Sequence, residues 1–354
     1  MRPVPFSPVP AVPLAPVPAV PQGGARFGYP DPVLPPGTRA ARVLRVDRGR
    51  WDLLTDAGAL RVAALPAPAL ARDAATVGDW VTLEGDRPVA LLPRTTLLAR
   101  GSASADSAVQ PLAANVDVVL ICAGLQAAAP VRRVERLLTL AWDSGAAPVV
   151  VLTKADLCDD VGAAVERVAR HAPGVPVAVV TAATGDVAAL APYVVPGTTL
   201  VLLGASGAGK STLVNALAGR EVMATGDNRE VDGKGRHTTT HRELLVLASG
   251  AVVIDTPGLR AVALQGGTEA LAQAFSDVAE LAVACRFADC AHQGEPGCAV
   301  LASVEAGDLP VERVDAWRHL QRELARQARR ADRRLQSEEK RRWKARRPAR
   351  TARP

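Results

Sequence analysis

The residues best suited to chemistry lie in Gly204-Ala205-Ser206-Gly207-Ala208-Gly209-Lys210-Ser211-Thr212, which fits G-x-x-x-x-G-K-[ST]. An apolar run, Thr199–Leu203, leads into it and a helix-forming run, Leu213–Leu217, follows. Glycines let backbone N–H groups converge on phosphate oxygens, and a helix N-terminus adds positive partial charge. Lys210 can reach the β- and γ-phosphates of a nucleoside triphosphate, and the Ser211 hydroxyl can ligate its Mg²⁺. Downstream, Ala251-Val252-Val253-Ile254-Asp255-Thr256-Pro257-Gly258 is an apolar strand ending in a carboxylate. Asp255 is placed to hold Mg²⁺ through water and the Gly258 N–H to sense the γ-phosphate.

A guanine pocket needs a carboxylate to accept the N1–H and N2–H donors. In GTPases it sits in [NT]-K-x-D, usually after D-x-x-G. Here no Lys occurs between Lys234 and Lys340, so that position is excluded. Thr153-Lys154-Ala155-Asp156 lies upstream instead, at the end of an apolar run. Alone it reads equally well as a helix N-cap. With Thr181 and Ala182 ending the next run, suited to an N–H on the guanine O6, the combination points to guanine held by Asp156. The motif order is then base, base, phosphate, switch, magnesium: a circular permutation of the usual arrangement. Paired hydrogen bonds of this kind reject a wrong base by roughly 10⁴, which disfavours a P-loop kinase or ATPase.

Asp232–His241 is polar, broken by Gly, and placed where a γ-phosphate-sensing loop belongs. One residue of Thr238–Thr240 should ligate Mg²⁺, and Thr239 is favoured. Leu259 stands where many GTPases carry a water-orienting Gln, so intrinsic turnover should be slow and the missing element supplied elsewhere. Cys285-x4-Cys290-x-His292-x5-Cys298 offers three thiolates and an imidazole, the donor set of one closed structural Zn²⁺. Cys122 and Cys158 read as packing residues. An odd count of five Cys with three clustered fits a metal site in a reducing, cytoplasmic compartment rather than a disulfide framework.

These residues need scaffolds. Between Ala40 and Arg94, short apolar pieces separated by Asp47-Arg48-Gly49, Asp56-Ala57-Gly58 and Glu84-Gly85-Asp86 suit a small β-barrel, of which the OB type is one option. From Val116, buried runs alternate with the helical stretches Val131–Trp142 and Val161–His171, as in an α/β domain. The expected organisation is a disordered Pro-rich arm (1–37), a barrel (38–97), an α/β P-loop domain (98–266), a mostly helical metal-binding domain (267–325) and a basic tail (326–354).

The chain of 354 residues carries a net charge of +6, unevenly spread. Arg318–Pro354 holds 15 Lys+Arg against 4 Asp+Glu, leaving the remainder mildly acidic. Val311–Arg347 is helical in composition, with Arg recurring all around rather than on one face. That argues against a membrane anchor and for RNA contact. Aromatics make up only 3% of residues, too few for base-stacking platforms. No apolar run reaches 18 residues, so no spanning helix is expected. A monomer is expected.

In combination these motifs resemble the RsgA family of circularly permuted GTPases, over roughly Thr38 to Leu324. The likeness extends to Gly233-Lys234-Gly235-Arg236-His237-Thr238-Thr239-Thr240, Cys285-Arg286-Phe287-Ala288-Asp289-Cys290-Ala291-His292 and Pro296-Gly297-Cys298-Ala299-Val300. The resemblance implies a multidomain fold: an OB-type barrel, a permuted α/β GTPase domain and a zinc domain. It also implies GTP hydrolysis in late maturation of the small ribosomal subunit, stimulated by that subunit and involving its rRNA. It makes His237 the candidate water-positioning residue. Thr153 departs from the commoner Asn, which bears on affinity more than specificity. The alternative function is a zinc-and-barrel RNA-binding module using GTP only as a binding switch.

Overall fold

The computed structural model describes residues 34–47, 49–65, 75–100, 110–125, 131–224, 243–255 and 268–346. Five strands open the fold: β1 (Thr38–Asp47), β2 (Arg50–Thr55), β3 (Gly58–Ala63), β4 (Trp80–Glu84) and β5 (Arg87–Leu91). They pair antiparallel in the order β3-β2-β1-β4-β5. The period of two puts Trp51 and Leu53 of β2 inside with Val43, Val62, Val81 and Leu83. A register shift between Val43 and Arg45 bends β1, and the β3 and β5 edges approach each other, closing the five-stranded barrel. Strand β5 was not anticipated, because its Pro88 and charged start give it a weak strand pattern. A hairpin of β6 (Leu97–Arg100) and β7 (Gln110–Ala114), also unforeseen, follows.

The second sheet is built from β8 (Val118–Gly124), α1 (Val131–Ser144), β9 (Ala147–Thr153), α2 (Val161–Arg170), β10 (Val177–Val179), β11 (Thr199–Gly204), α3 (Lys210–Ala218), β12 (Glu243–Val246) and β13 (Val252–Asp255). Its order is β10-β9-β8-β11-β13-β12, parallel except for β12. The chain steps outward from β8 to β10, then returns to lay β11 on the other side of β8. That reversal creates a crevice at the carboxyl ends of β8 and β11, where α/β sheets bind ligands. Both sheet faces are covered, which explains the continuous apolar runs. Val119, Ile121 and Ala123 of β8 face Val134 and Leu138 of α1 and Val168 of α2. Val118, Leu120 and Cys122 face Leu213 and Val214 of α3 and the Leu190–Tyr193 segment.

The C-terminal helices α4 (Thr268–Ala274), α5 (Ser276–Ala282), α6 (Ala299–Ala306) and α7 (Val311–Arg346) have no core of their own. Leu271, Phe275, Val278, Val300, Val314 and Leu320 belong to the cluster that contains Ile121 and Leu138. Arg313 of α7 is fully buried within it. Its guanidinium donates to both Asp277 oxygens, to Glu135 Oε1 (3.2 Å), and to the carbonyls of His171 (2.8 Å) and Ala274 (2.9 Å). It also lies 4.6 Å from the Phe275 ring centre, and His171 Nδ1 reaches Glu135 Oε1 at 2.8 Å. Farther along, Arg136 of α1 pairs with Glu323 at 2.5 and 2.9 Å.

At about 100° per residue, Arg313, Leu320 and Leu324 share the side of α7 that faces the core, and Arg322, Arg326 and Arg329 lie on the opposite, exposed side.

Candidate nucleotide site and metal centre

The phosphate-loop residues sit at the crevice. Gly204 ends β11 with φ 151°, and a Cβ there would stand 2.4 Å from the Cys122 carbonyl of β8, so only Gly lets the loop leave the sheet. Gly209 turns the chain at φ 76° into α3. Lys210, the first residue of α3, folds back over the loop and donates to the Gly204 (3.0 Å) and Ala205 (2.6 Å) carbonyls. Ser211 and Thr212 follow in the first turn, where the helix leaves its N–H groups unpaired.

The base motif meets this loop directly. Thr153, the buried last residue of β9, donates its hydroxyl to the Ala208 carbonyl at 2.9 Å. A Cβ on Gly209 would meet the same Oγ1 at 3.3 Å, so the two loops fit closely. The Thr hydroxyl thus supplies a brace between base and phosphate loops where Asn is commoner. Lys154 takes a left-handed conformation (φ 59°), turning the chain so that Ala155–Leu157 forms a 3₁₀ turn with Asp156 exposed. Thr181 follows β10 and bridges to Asp186, and the Ala182–Thr184 turn rests against α3. Thr153, Asp156, Thr181, Gly204–Thr212 and the backbone of Asp255 therefore share the carboxyl edge of one sheet. His237, Thr239 and Gly258 lie outside the described residues.

A buried arginine and a carboxylate beside it, both missed by sequence reasoning, anchor this edge from behind. Arg42 of the barrel strand β1 reaches Thr199 Oγ1 (2.7 Å), Asn115 O (3.1 Å) and Gly78 O (3.4 Å). Burial pushes its guanidinium down to about 10, partly offset by the Asp117 and Asp79 charges, so it stays charged at neutral pH. Asp117 accepts the Thr199 N–H at 2.7 Å; burial pushes its carboxyl above the usual range against that bond and the Arg42 charge. Thr199 begins the strand that ends in the phosphate loop, so the barrel is fastened to the root of β11. The turn before β4 touches β13 as well: a Cβ on Gly78 would stand 2.2 Å from Ala114 O and 2.8 Å from Ile254 Cδ1, next to Asp255. A lone Arg in an alternating strand carried no signal of this.

Between α5 and α6, the ligand atoms of Cys285, Cys290, His292 and Cys298 lie within 4.8 Å of one another. Cys285 Sγ is 3.6 Å and Cys298 Sγ 3.4 Å from His292 Nδ1, and the two sulfurs are 3.9 Å apart. Bond lengths of about 2.3 Å to sulfur and 2.05 Å to nitrogen predict tetrahedral edges of about 3.6 and 3.8 Å. The donor set therefore fits a tetrahedral metal ion. Its loop is knit from outside. Glu295 accepts N–H groups of Ala291 (3.0 Å), Gln293 (2.6 Å) and Gly294 (3.1 Å), and its own N–H with Gln293's holds the carboxyl down at about 2. The His292 ring lies 5.2 Å from Trp317 of α7, and its carbonyl accepts from Arg318. Cys122 and Cys158 are not in the cluster; both pack into the sheet's cores.

The family model described as RsgA GTPase matches residues 91–265, and one described as 50S ribosome-binding GTPase matches 199–333. The small ribosomal subunit biogenesis GTPase RsgA of Streptomyces avermitilis is 48% identical over 316 residues, 87% of this chain and 85% of that protein. The protein of that name from Opitutus terrae is 51% identical over 269 residues, 75% of this chain and 73% of its own. Among solved structures, YjeQ from Thermotoga maritima superposes with a TM-score of 0.61 at 25% identity, covering 81% of this chain and 99% of its own. YloQ, described as a circularly permuted GTPase, gives 0.59 at 23% identity over 82% and 96%, a likeness of fold. With a sheet whose base motif precedes its phosphate loop and relatives alike along most of their length, the chain belongs to the RsgA GTPase family.

Proposed function

We propose that this GTPase acts in late maturation of the small ribosomal subunit, binding its rRNA and hydrolysing GTP in response to it. The observation that carries the nucleotide half is the contact of Thr153 with Ala208, which sets the Asp156 turn beside the phosphate loop. Asp156 would accept the guanine N1–H and N2–H, and an N–H at Thr181–Ala182 would donate to O6. The backbone of Gly204–Gly209 and Lys210 would cradle the phosphates, with Thr212 continuing the first turn of α3. Ser211, Thr239 and Asp255 would hold Mg²⁺, which supplies charge neutralisation on the β- and γ-phosphates. Gly258 would sense the γ-phosphate and His237 would orient the attacking water, the task Leu259 cannot perform.

The Cys285, Cys290, His292 and Cys298 centre suits Zn²⁺ in a structural role, since all four positions are filled by protein. We place the protein in the cytoplasm as a monomer; among the described residues no helix is long and apolar enough to cross a membrane. The small-subunit assignment rests on full-length relatives that bear that name, whereas the model naming the 50S subunit spans only residues 199–333. The nucleotide reading is tested by Asp156→Asn. It should weaken GTP by at least 10²-fold while leaving the triphosphate contacts intact, with competition against ATP and XTP as the readout. Unchanged GTP affinity would remove Asp156 from the base pocket.

A further inference from the structure

We propose that Glu295 is a positioning residue for the metal centre: its carboxylate shapes the turn that aims His292 at the three sulfurs. The proposal rests on the reading of the four side chains as ligands of Zn²⁺, and adds the group that sets one of them in place. Glu295 lies outside the converging ligand atoms. It stands three residues after His292 and three before Cys298, with both oxygens turned onto the backbone of the ligand loop. Oε1 accepts the Ala291 N–H at 3.0 Å, while Oε2 accepts those of Gln293 at 2.6 Å and Gly294 at 3.1 Å. These donors flank His292 on both sides. The chain therefore folds around the carboxylate and carries the imidazole at the bend.

That bend needs a brace. His292 has φ 55°, a left-handed conformation that a residue with a Cβ rarely takes. Gly would hold it without strain, but the site requires an imidazole. The ring is buried, with Nδ1 3.4 Å from Cys298 Sγ and 3.6 Å from Cys285 Sγ. A return of the backbone to right-handed values would swing it away from the sulfurs. Arg318 of α7 donates to the His292 carbonyl, and Trp317 lies 5.2 Å from the ring. Those two contacts hold the turn to the body, whereas Glu295 fixes its shape from within the loop. Three N–H donors spread over two oxygens call for an acceptor at both ends of the group. A carboxylate supplies this. A carboxamide offers one oxygen and turns an NH2 donor against the remaining N–H groups.

The experiment strips the full-length protein of metal, then titrates Zn²⁺ against a chromophoric chelator. Outer groups that orient metal ligands carry about 10- to 100-fold of metal affinity, so Glu295→Gln should weaken Zn²⁺ by that factor. Glu305→Gln, the same charge change at an exposed position of α6, should leave the affinity unchanged. Glu295→Asp keeps the charge but draws the oxygens back by one methylene, so it too should lose affinity. Wild-type affinity in Glu295→Asp would reduce the residue to a nearby charge and overturn the positioning role. Wild-type affinity in Glu295→Gln, or an equal loss in Glu305→Gln, would overturn it as well. Melting separates this role from a general loss of fold. The deficit of Glu295→Gln against wild type should be larger with Zn²⁺ bound than under chelator, because a tighter ion stabilises more. Equal deficits would overturn the proposal. If wild type itself took up no Zn²⁺, the metal reading would fall and the proposal with it.

Discussion

The barrel and the C-terminal helices are each fastened to the nucleotide-binding body by one fully buried arginine, and the surroundings of the two differ. Arg42 crosses from a barrel with its own core to carbonyls and a hydroxyl at the root of β11. Arg313 sits inside a core that the C-terminal helices share with α1 and the sheet, among the carboxylates of Glu135 and Asp277. A unit with its own core can be loosened at its junction and remain folded. A unit without one cannot. The barrel should therefore behave as a separable attachment, and the metal-bearing helices as part of the body.

The strongest test of that contrast is the metal centre. Removing the ion with a chelator, or replacing Cys290 with Ser, should withdraw on the order of 10 kcal/mol of local folding energy. Because α4 and α7 cover α1, the body should lose thermal stability together with them. A melt in which nucleotide binding survives chelation unchanged would show that the helices are separable after all. Next in size is Arg313→Met, which strands Glu135 in the interior and removes the partner of half-buried Asp277; breaking a buried pair costs about 3–5 kcal/mol. Urea unfolding should show one destabilised transition, and adding Glu135→Gln should recover part of the loss.

Arg42→Met should cost less, about 1–3 kcal/mol, since what it leaves unpaired is carbonyl and hydroxyl, while Asp117 loses a nearby charge but keeps the Thr199 N–H. Its pH dependence has a definite sign. Burial raises the folded Asp117 pKa, so the folded state binds the proton more tightly, and stability falls as pH rises from the unfolded value through the folded one. Without the Arg42 charge that pKa rises further. The penalty for Arg42→Met should therefore be larger near pH 7 than below about pH 3, where the carboxyl is protonated in both states. Equal urea midpoints shifts at the two pH values would separate Arg42 from Asp117.

The sequence made the nucleotide and metal motifs legible because their chemistry is local: a Gly-rich turn, a strand-end carboxylate and a run of thiols each occupy one short segment. Even the permuted order could be read, since the absence of Lys between Lys234 and Lys340 forced the base motif upstream. The residues that hold the units together were not legible. Arg42 is 157 positions from Thr199, and Arg313 is 178 from Glu135; nothing in either neighbourhood marks them as buried. Arg313 was further concealed among the many arginines of α7.

The central claim is that the nucleotide machine answers to the small ribosomal subunit. GTP turnover by the full chain should be slow alone, strongly stimulated by isolated small subunits and little changed by large ones. Stimulation by large subunits alone would contradict the account.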